Sequence, residues 1–183
     1  NAEESQPLVQ LEAARYHTGA TVRTQFVEMP QVADTYAHVG SRPYWCWGYE
    51  HGFNEHQVVI GNEGLKSKFD VSSEARLIGM ELIRLGLERG RTAAEAVDVI
   101  TGLVTQHGQG RFTNDGDVRT YDNGYIVADS REAYIVETAD REWAVKRIES
   151  SIGIGNLYSL GTDWDTLSPD AEQRALEAGW WAE

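Results

Sequence analysis

Cysteine, proline and basic residues are all scarce in this sequence, and it has no long apolar run. The only cysteine, Cys46, excludes an internal disulfide framework and a cysteine-rich zinc site, and it fits a reducing compartment. Sixteen Lys and Arg stand against 29 Asp and Glu, for a formal charge of -13. The clustered cations that displace counterions from phosphate are missing, so neither nucleic acid nor an anionic lipid surface is expected as a partner. No stretch approaches the roughly 18–20 apolar residues of a membrane span, so no membrane association is expected. The five histidines are scattered, and the closest pair, His51 and His56, lacks the i,i+4 spacing of a helical zinc site. Neither a metal nor a cofactor is therefore expected. The opening stretch "NAEESQPLVQLEAARY" has no basic start and no apolar core with a small-residue cleavage site, and the expected location is cytoplasmic.

What is present reads as one domain over residues 1–183, with ordinary proportions of apolar (41%) and charged (25%) residues. "TVRTQFVEM" alternates as a half-buried strand, and "QVVIGNEG" reads as a short apolar strand ended by turn residues. Ser72 or Ser73 can cap a helix running to about Arg89. Its polar stripe is Glu74, Glu81, Arg84 and Glu88, and it has two apolar sides, as a helix packed in a covered layer would. Thr92–Glu95 forms a capping box for a second helix, with Ala93, Ala96, Val97, Ile100, Leu103 and Val104 on one face. "RFTNDGDVRTYDNG" reads as a loop without calcium-loop spacing. "YIVAD", "EAYIVET" and "EWAVKRI" then read as an antiparallel meander, followed by a strand near "SIGIGNLYSL". Ser168 and Pro169 would open a last helix. Strands, then helices, then strands indicate an α+β fold with helices layered on antiparallel sheet.

Cys46 sits in "YWCWG" with no base beside it and no helix start to lower its pKa, so packing is its expected role. Tyr44, Trp45 and Trp47 are candidates either for core or for the wall of a substrate pocket. No serine lies in a nucleophile elbow, and "GIGN" at Gly153–Asn156 lacks the third glycine of a dinucleotide loop. Asn54 and Glu55 are expected to close a turn.

Four blocks carry a likeness in collinear order over nearly the whole chain. They are "SRPYWCWGYEHGFNEHQVVIGNEGL", "LIGMELIRLGLERGRTAAEAVDVITGLVTQHGQG", "YDNGYIVADSREAYIVETADREWAVKRI" and "IGNLYSLGTDWDTLSPDA". Together they resemble the dipeptidase and secernin family of N-terminal-nucleophile hydrolases, which is similar to bile-salt hydrolases and penicillin V acylases.

The resemblance implies a four-layer αββα sandwich, incomplete in this chain, which would lack the upstream nucleophile strand and the C-terminal portion. It implies a cysteine nucleophile at a mature N-terminus, activated by its own α-amino group and passing through an acyl-enzyme. Asn62, ending "VVIGN", resembles one asparagine of the oxyanion hole, and Asn156 in "IGNLYSL" resembles the second. Glu3 stands where a shorter carboxylate usually holds the amine and nucleophile. The expected activity is dipeptidase-like cleavage of a small peptide or acyl-amide, with the nucleophile on a further segment or chain that completes the fold. An acyltransferase of the same fold and a non-catalytic, secernin-like interaction protein are the alternatives.

Overall fold

A computed structural model describes residues 5–69, 72, 74–110, 112–114 and 117–180. The strands that open the chain are β1 (Leu8–Leu11), β2 (Ala14–Arg15), β3 (Thr21–Arg23), β4 (Glu28–Pro30), β5 (Asp34–Thr35), β6 (His38–Ser41), β7 (His51–Asn54) and β8 (Val59–Leu65). Two helices follow, α1 (Gly79–Arg89) and α2 (Ala93–His107). Then come β9 (Phe112–Asn114), β10 (Asp117–Arg119), β11 (Asp122–Ala128), β12 (Ala133–Ala139), β13 (Glu142–Arg147), β14 (Thr166–Leu167) and α3 (Ala171–Glu177). The fold is α+β, and its centre is one antiparallel sheet in the order β1-β6-β7-β8-β11-β12-β13-β14.

Alternation along each strand gives the sheet two unlike faces. Ile60, Tyr125, Val127, Val136 and Val145 point toward α1 and α2 and pack with Leu82, Leu85, Ala96, Ile100 and Val104. On the other face Phe53 is 52% exposed and Val59, its register partner, is 50% exposed. Among the described residues, α1 and α2 cover the first face, and the short α3 stands over the β12–β13 end of the other.

The meander is where alternation placed it, and Thr92 caps α2, its Oγ1 accepting the Glu95 N–H at 3.2 Å. The capping box does not close on Thr92, since the Glu95 carboxylate accepts the Arg91 N–H at 2.8 Å instead. Gly108, with φ 69°, ends α2 and turns the chain so that Gln109 is buried. Several expectations are corrected. The stretch 21–29 is a hairpin of β3 and β4, because Thr24 and Val27 close a turn through both backbone and hydroxyl. Helix α1 starts at Gly79, not near Ser72: Glu81 accepts the Ile78 N–H at 2.9 Å and caps the helix there. Ser72 and Leu77 instead bridge to Gly110 and Gln109, while Ser73 lies outside the described residues.

Within the polar stripe of α1, two carboxylates are enclosed. Glu81 and Glu88 are buried, Glu81 accepting the Gln25 N–H and Glu88 the Arg84 Nε–H at 2.8 Å. The stretch read as a loop contains the β9–β10 ribbon and the first residues of β11. No strand forms at 151–160, and the sheet ends on β14 instead. Ser168 does not cap α3, for its hydroxyl donates to Glu142 Oε2 at 2.6 Å and accepts the Trp143 N–H at 3.1 Å.

Candidate active site

Strand β8 outruns its neighbour: β7 pairs with it only as far as His51 opposite Gly61, whereas β11 pairs with it to Leu65. Residues Asn62 to Leu65 thus have a strand partner on the β11 side alone among the described residues. Asn62 lies on the helix face, on the same side as Ile60. A Cβ on Gly79, the first residue of α1, would overlap Asn123 Oδ1 and come within 2.5 Å of Asn62 Nδ2. Only glycine lets the helix start against both amides.

Behind Asn62 runs a relay of side-chain amides. Asn62 Nδ2 donates to Asn123 Oδ1 at 2.9 Å, and Asn123 Nδ2 donates to Gln109 Oε1 at 2.6 Å. Gln109 Nε2 donates to Thr138 Oγ1 at 2.9 Å and to the Asp140 carbonyl at 3.2 Å. The Thr138 hydroxyl in turn donates to the Asn123 carbonyl at 2.7 Å and accepts the Asn123 N–H at 3.0 Å. Asn123, Gln109 and Thr138 are each about as buried as a side chain can be, so each bond is costly to leave unmade. The chain of donors fixes which way the half-buried Asn62 amide faces. Its second Nδ2 hydrogen has no partner among the described residues.

Asn156 reaches the same strand from the other side. Its Nδ2 donates to the Gly64 carbonyl at 3.0 Å and to Glu63 Oε2 at 3.3 Å. Glu63 alternates with Asn62 and points away from the helices, so the two asparagines meet β8 within two residues of each other without converging. Asn156 opens on a cavity of about 480 Å³ lined by Gly64, Lys66, Tyr121, Asn156, Leu157 and Tyr158. Burial pushes the Tyr158 hydroxyl well above the usual phenol range, and it donates to the Thr138 carbonyl at 2.6 Å.

Glu3 lies outside the described residues. Trp45 stacks on Phe112, with ring centroids 5.5 Å apart, and Trp47 lies under the Arg84 guanidinium at 3.8 Å, so both rings are engaged in packing. Tyr44 is 54% exposed. None of the three lines the cavity at Asn156. Cys46 is 1% exposed, packed with Ile78, Met80 and Phe112, and accepts the Gly48 N–H on Sγ at 3.2 Å. Its thiol is pushed up to about 12, chiefly by burial. A thiol so held supplies almost no thiolate at neutral pH. Asn54 closes its turn by accepting the His56 and Val58 N–H groups, and its Nδ2 also ties down the end of α1 through the Leu87 and Gly90 carbonyls.

The sequence reading missed Asn123, Gln109 and Thr138. A usable signal existed: counting back by twos from Tyr125 puts Asn123 on the core face of the same strand. Among the described residues no group of three His, Cys, Asp or Glu is placed to hold a metal ion, and no helix is long and apolar enough to cross a membrane. Compared with models of known protein families, the chain matches none.

Proposed function

We propose that this chain carries the oxyanion-stabilising part of an amidohydrolase that cleaves a small peptide or acyl-amide bond, in the manner of a dipeptidase. The observation that carries this reading is the Asn62 amide, oriented by a buried relay and keeping one N–H without a partner among the described residues. Catalysis of acyl transfer needs a donor of this kind, fixed before the charge develops.

In this reading a thiolate on a cysteine outside these 183 residues attacks the amide carbonyl, and its own α-amino group takes the thiol proton. The carbonyl oxygen becomes an oxyanion that accepts from Asn62 Nδ2. Asn156, which meets β8 from the other side, keeps its bonds to Gly64 and Glu63 and stands beside the cavity that would take the rest of the substrate. The C–N bond breaks, the amine leaves with the proton, and water hydrolyses the thioester. By resemblance, Glu3 would be the carboxylate near that amine. The second sheet of an αββα sandwich would pack on the face opposite α1 and α2, where Val39, Phe53 and Val59 lie side by side across β6, β7 and β8.

The test is turnover of a dipeptide and acyl-amide panel by the full natural protein, with intact-mass detection of the acyl-enzyme. Hydrolysis that falls about a hundredfold in Asn62→Ala supports the reading, as loss of one oxyanion donor predicts. A protein that forms no acyl-enzyme and hydrolyses none of the panel is not an amidohydrolase of this kind.

A further inference from the structure

Tyr158 separates the Asn156 cavity from a second one of about 540 Å³, on the sheet face opposite α1 and α2. This volume falls within the roughly 300–1,000 Å³ of small-molecule sites. Phe69, Tyr158, Leu160, Trp164, Ala175 and Trp180 form much of its wall.

Two carboxylates lie in its floor, and neither is left to meet a ligand. Glu137 Oε1 accepts the Ser159 N–H at 2.6 Å and the Ser159 hydroxyl at 2.8 Å, and its Oε2 accepts the Leu160 N–H at 3.3 Å. Glu142 Oε2 accepts the Ser168 hydroxyl at 2.6 Å, and its Oε1 accepts from Arg174 Nη1 at 2.7 Å. Arg174 also bonds Asp140 through Nη2 at 2.9 Å, while its guanidinium lies 4.5 Å from the Phe69 ring centroid. A charged ligand would lose its hydration here and find its counter-charges already paired. An uncharged ring would find aromatic faces and edges on several sides.

We propose that this cavity takes an uncharged aromatic group of a small amide whose polar end lies at Asn156, making the site selective for aromatic acyl or amino-acid side chains. The inference rests on the amidohydrolase reading for the chemical class of the ligand, a small amide. The shared wall at Tyr158 links the two cavities, and its hydroxyl is anchored on β12 by the bond to Thr138. A substrate bridging them would pass its ring behind Tyr158.

The probes are two neutral amides that differ by one ring, N-acetylphenylalaninamide and N-acetylalaninamide, titrated into the full protein by calorimetry. The phenyl amide is expected to bind at least tenfold tighter. Ala175→Trp, which fills the cavity from α3, should remove most of that preference, and Trp164→Ala should reduce it by opening one wall. Circular dichroism checks the fold of each variant, and Trp164→Ala carries the test alone if Ala175→Trp does not fold. Equal affinities, no binding of either amide, or a preference unchanged in the folded variants overturns the cavity assignment, even where amide hydrolysis is observed. Ring-selective binding that both variants weaken, with no hydrolysis of any amide, upholds the cavity and overturns the amidohydrolase reading.

Discussion

Asn62 on β8 and Asn123 on β11 are joined amide to amide at 2.9 Å, although Tyr125 is the residue directly opposite Asn62 in the register. The contact is therefore the diagonal one between neighbouring strands on one face. It makes the direction of the Asn62 amide a property of the core rather than of the strand end.

Truncating each partner separates catalysis from support. Asn62→Ala should lower the acylation rate roughly a hundredfold or more. Its stability should fall by about 1–2 kcal/mol, since the buried Asn123 Oδ1 loses its donor beside a half-buried position. Asn123→Ala should do more to stability, about 2–3 kcal/mol, by taking from the buried Gln109 Oε1 its 2.6 Å donor and leaving it only the Thr138 hydroxyl at 3.2 Å, and should slow acylation by releasing Asn62. Denaturant midpoints and single-turnover kinetics on both variants check this. Wild-type acylation in Asn62→Ala would remove that residue from the chemistry.

Gly79→Ala tests the close approach of α1 to the same pair. Alanine is the better helix former, by about 1 kcal/mol at an exposed interior position. Here its methyl group would overlap the Asn123 amide, so the expected outcome has the opposite sign, a loss of about 1–3 kcal/mol. Thermal unfolding of the variant decides between propensity and packing. A stabilised Gly79→Ala would show that the helix start gives way without strain.

The parts of this fold that were legible are the locally determined ones. Alternation in "YIVAD", "EAYIVET" and "EWAVKRI" depends only on neighbouring residues, and the Thr92 cap on a contact three residues away. Non-local partners hid the rest. Glu81 belongs to the polar stripe of α1, and its burial depends on Gln25, 56 positions away in the turn between β3 and β4, donating its N–H. Asp122 and Asn123 look like turn residues, yet they pair with Leu65 and Gly64 in the sheet. The relay at Asn62 draws on positions 62, 109, 123 and 138, and no periodicity connects them. Asn62 itself stood out through family resemblance, not through its own local pattern.

Cys46 should behave as a buried methyl-sized group. In the native protein its thiol should resist a disulfide reagent such as DTNB at pH 8 and react stoichiometrically once the protein is unfolded, because burial holds it up to about 12. Cys46→Ala should fold with a loss of about 1–2 kcal/mol from the small space left beside Met80 and Phe112. Turnover in the full protein should persist. Rapid native labelling that stops hydrolysis would make Cys46 the nucleophile.

His38 predicts an acid limit to stability. The ring is 4% exposed, its Nδ1 lies 2.8 Å from the Tyr36 carbonyl, and its Nε2 lies 3.1 Å from the Tyr49 hydroxyl. These contacts suit the neutral ring, with Nδ1–H donating and Nε2 accepting. Burial lowers the pKa, with a smaller contribution from Arg84, and outweighs the Tyr36 carbonyl and Glu88 at 3.9 Å, which both favour the charged form. A folded pKa below the unfolded value of about 6.5 means that the unfolded chain binds more protons between the two. Stability is therefore full above about pH 6.5 and falls as pH drops toward the lowered value, by at most about 1.4 kcal/mol per pH unit from this one group. Glu81 is shifted upward by burial and contributes with the opposite sign above about pH 4.5, so the wild-type profile alone does not isolate His38. His38→Gln does. It should be less stable than wild type at pH 8, having lost the fit to Tyr49, and should lose less stability between pH 6.5 and 5. Urea unfolding of both proteins across that range gives the two slopes, and parallel profiles would show that His38 does not titrate as its buried contacts require.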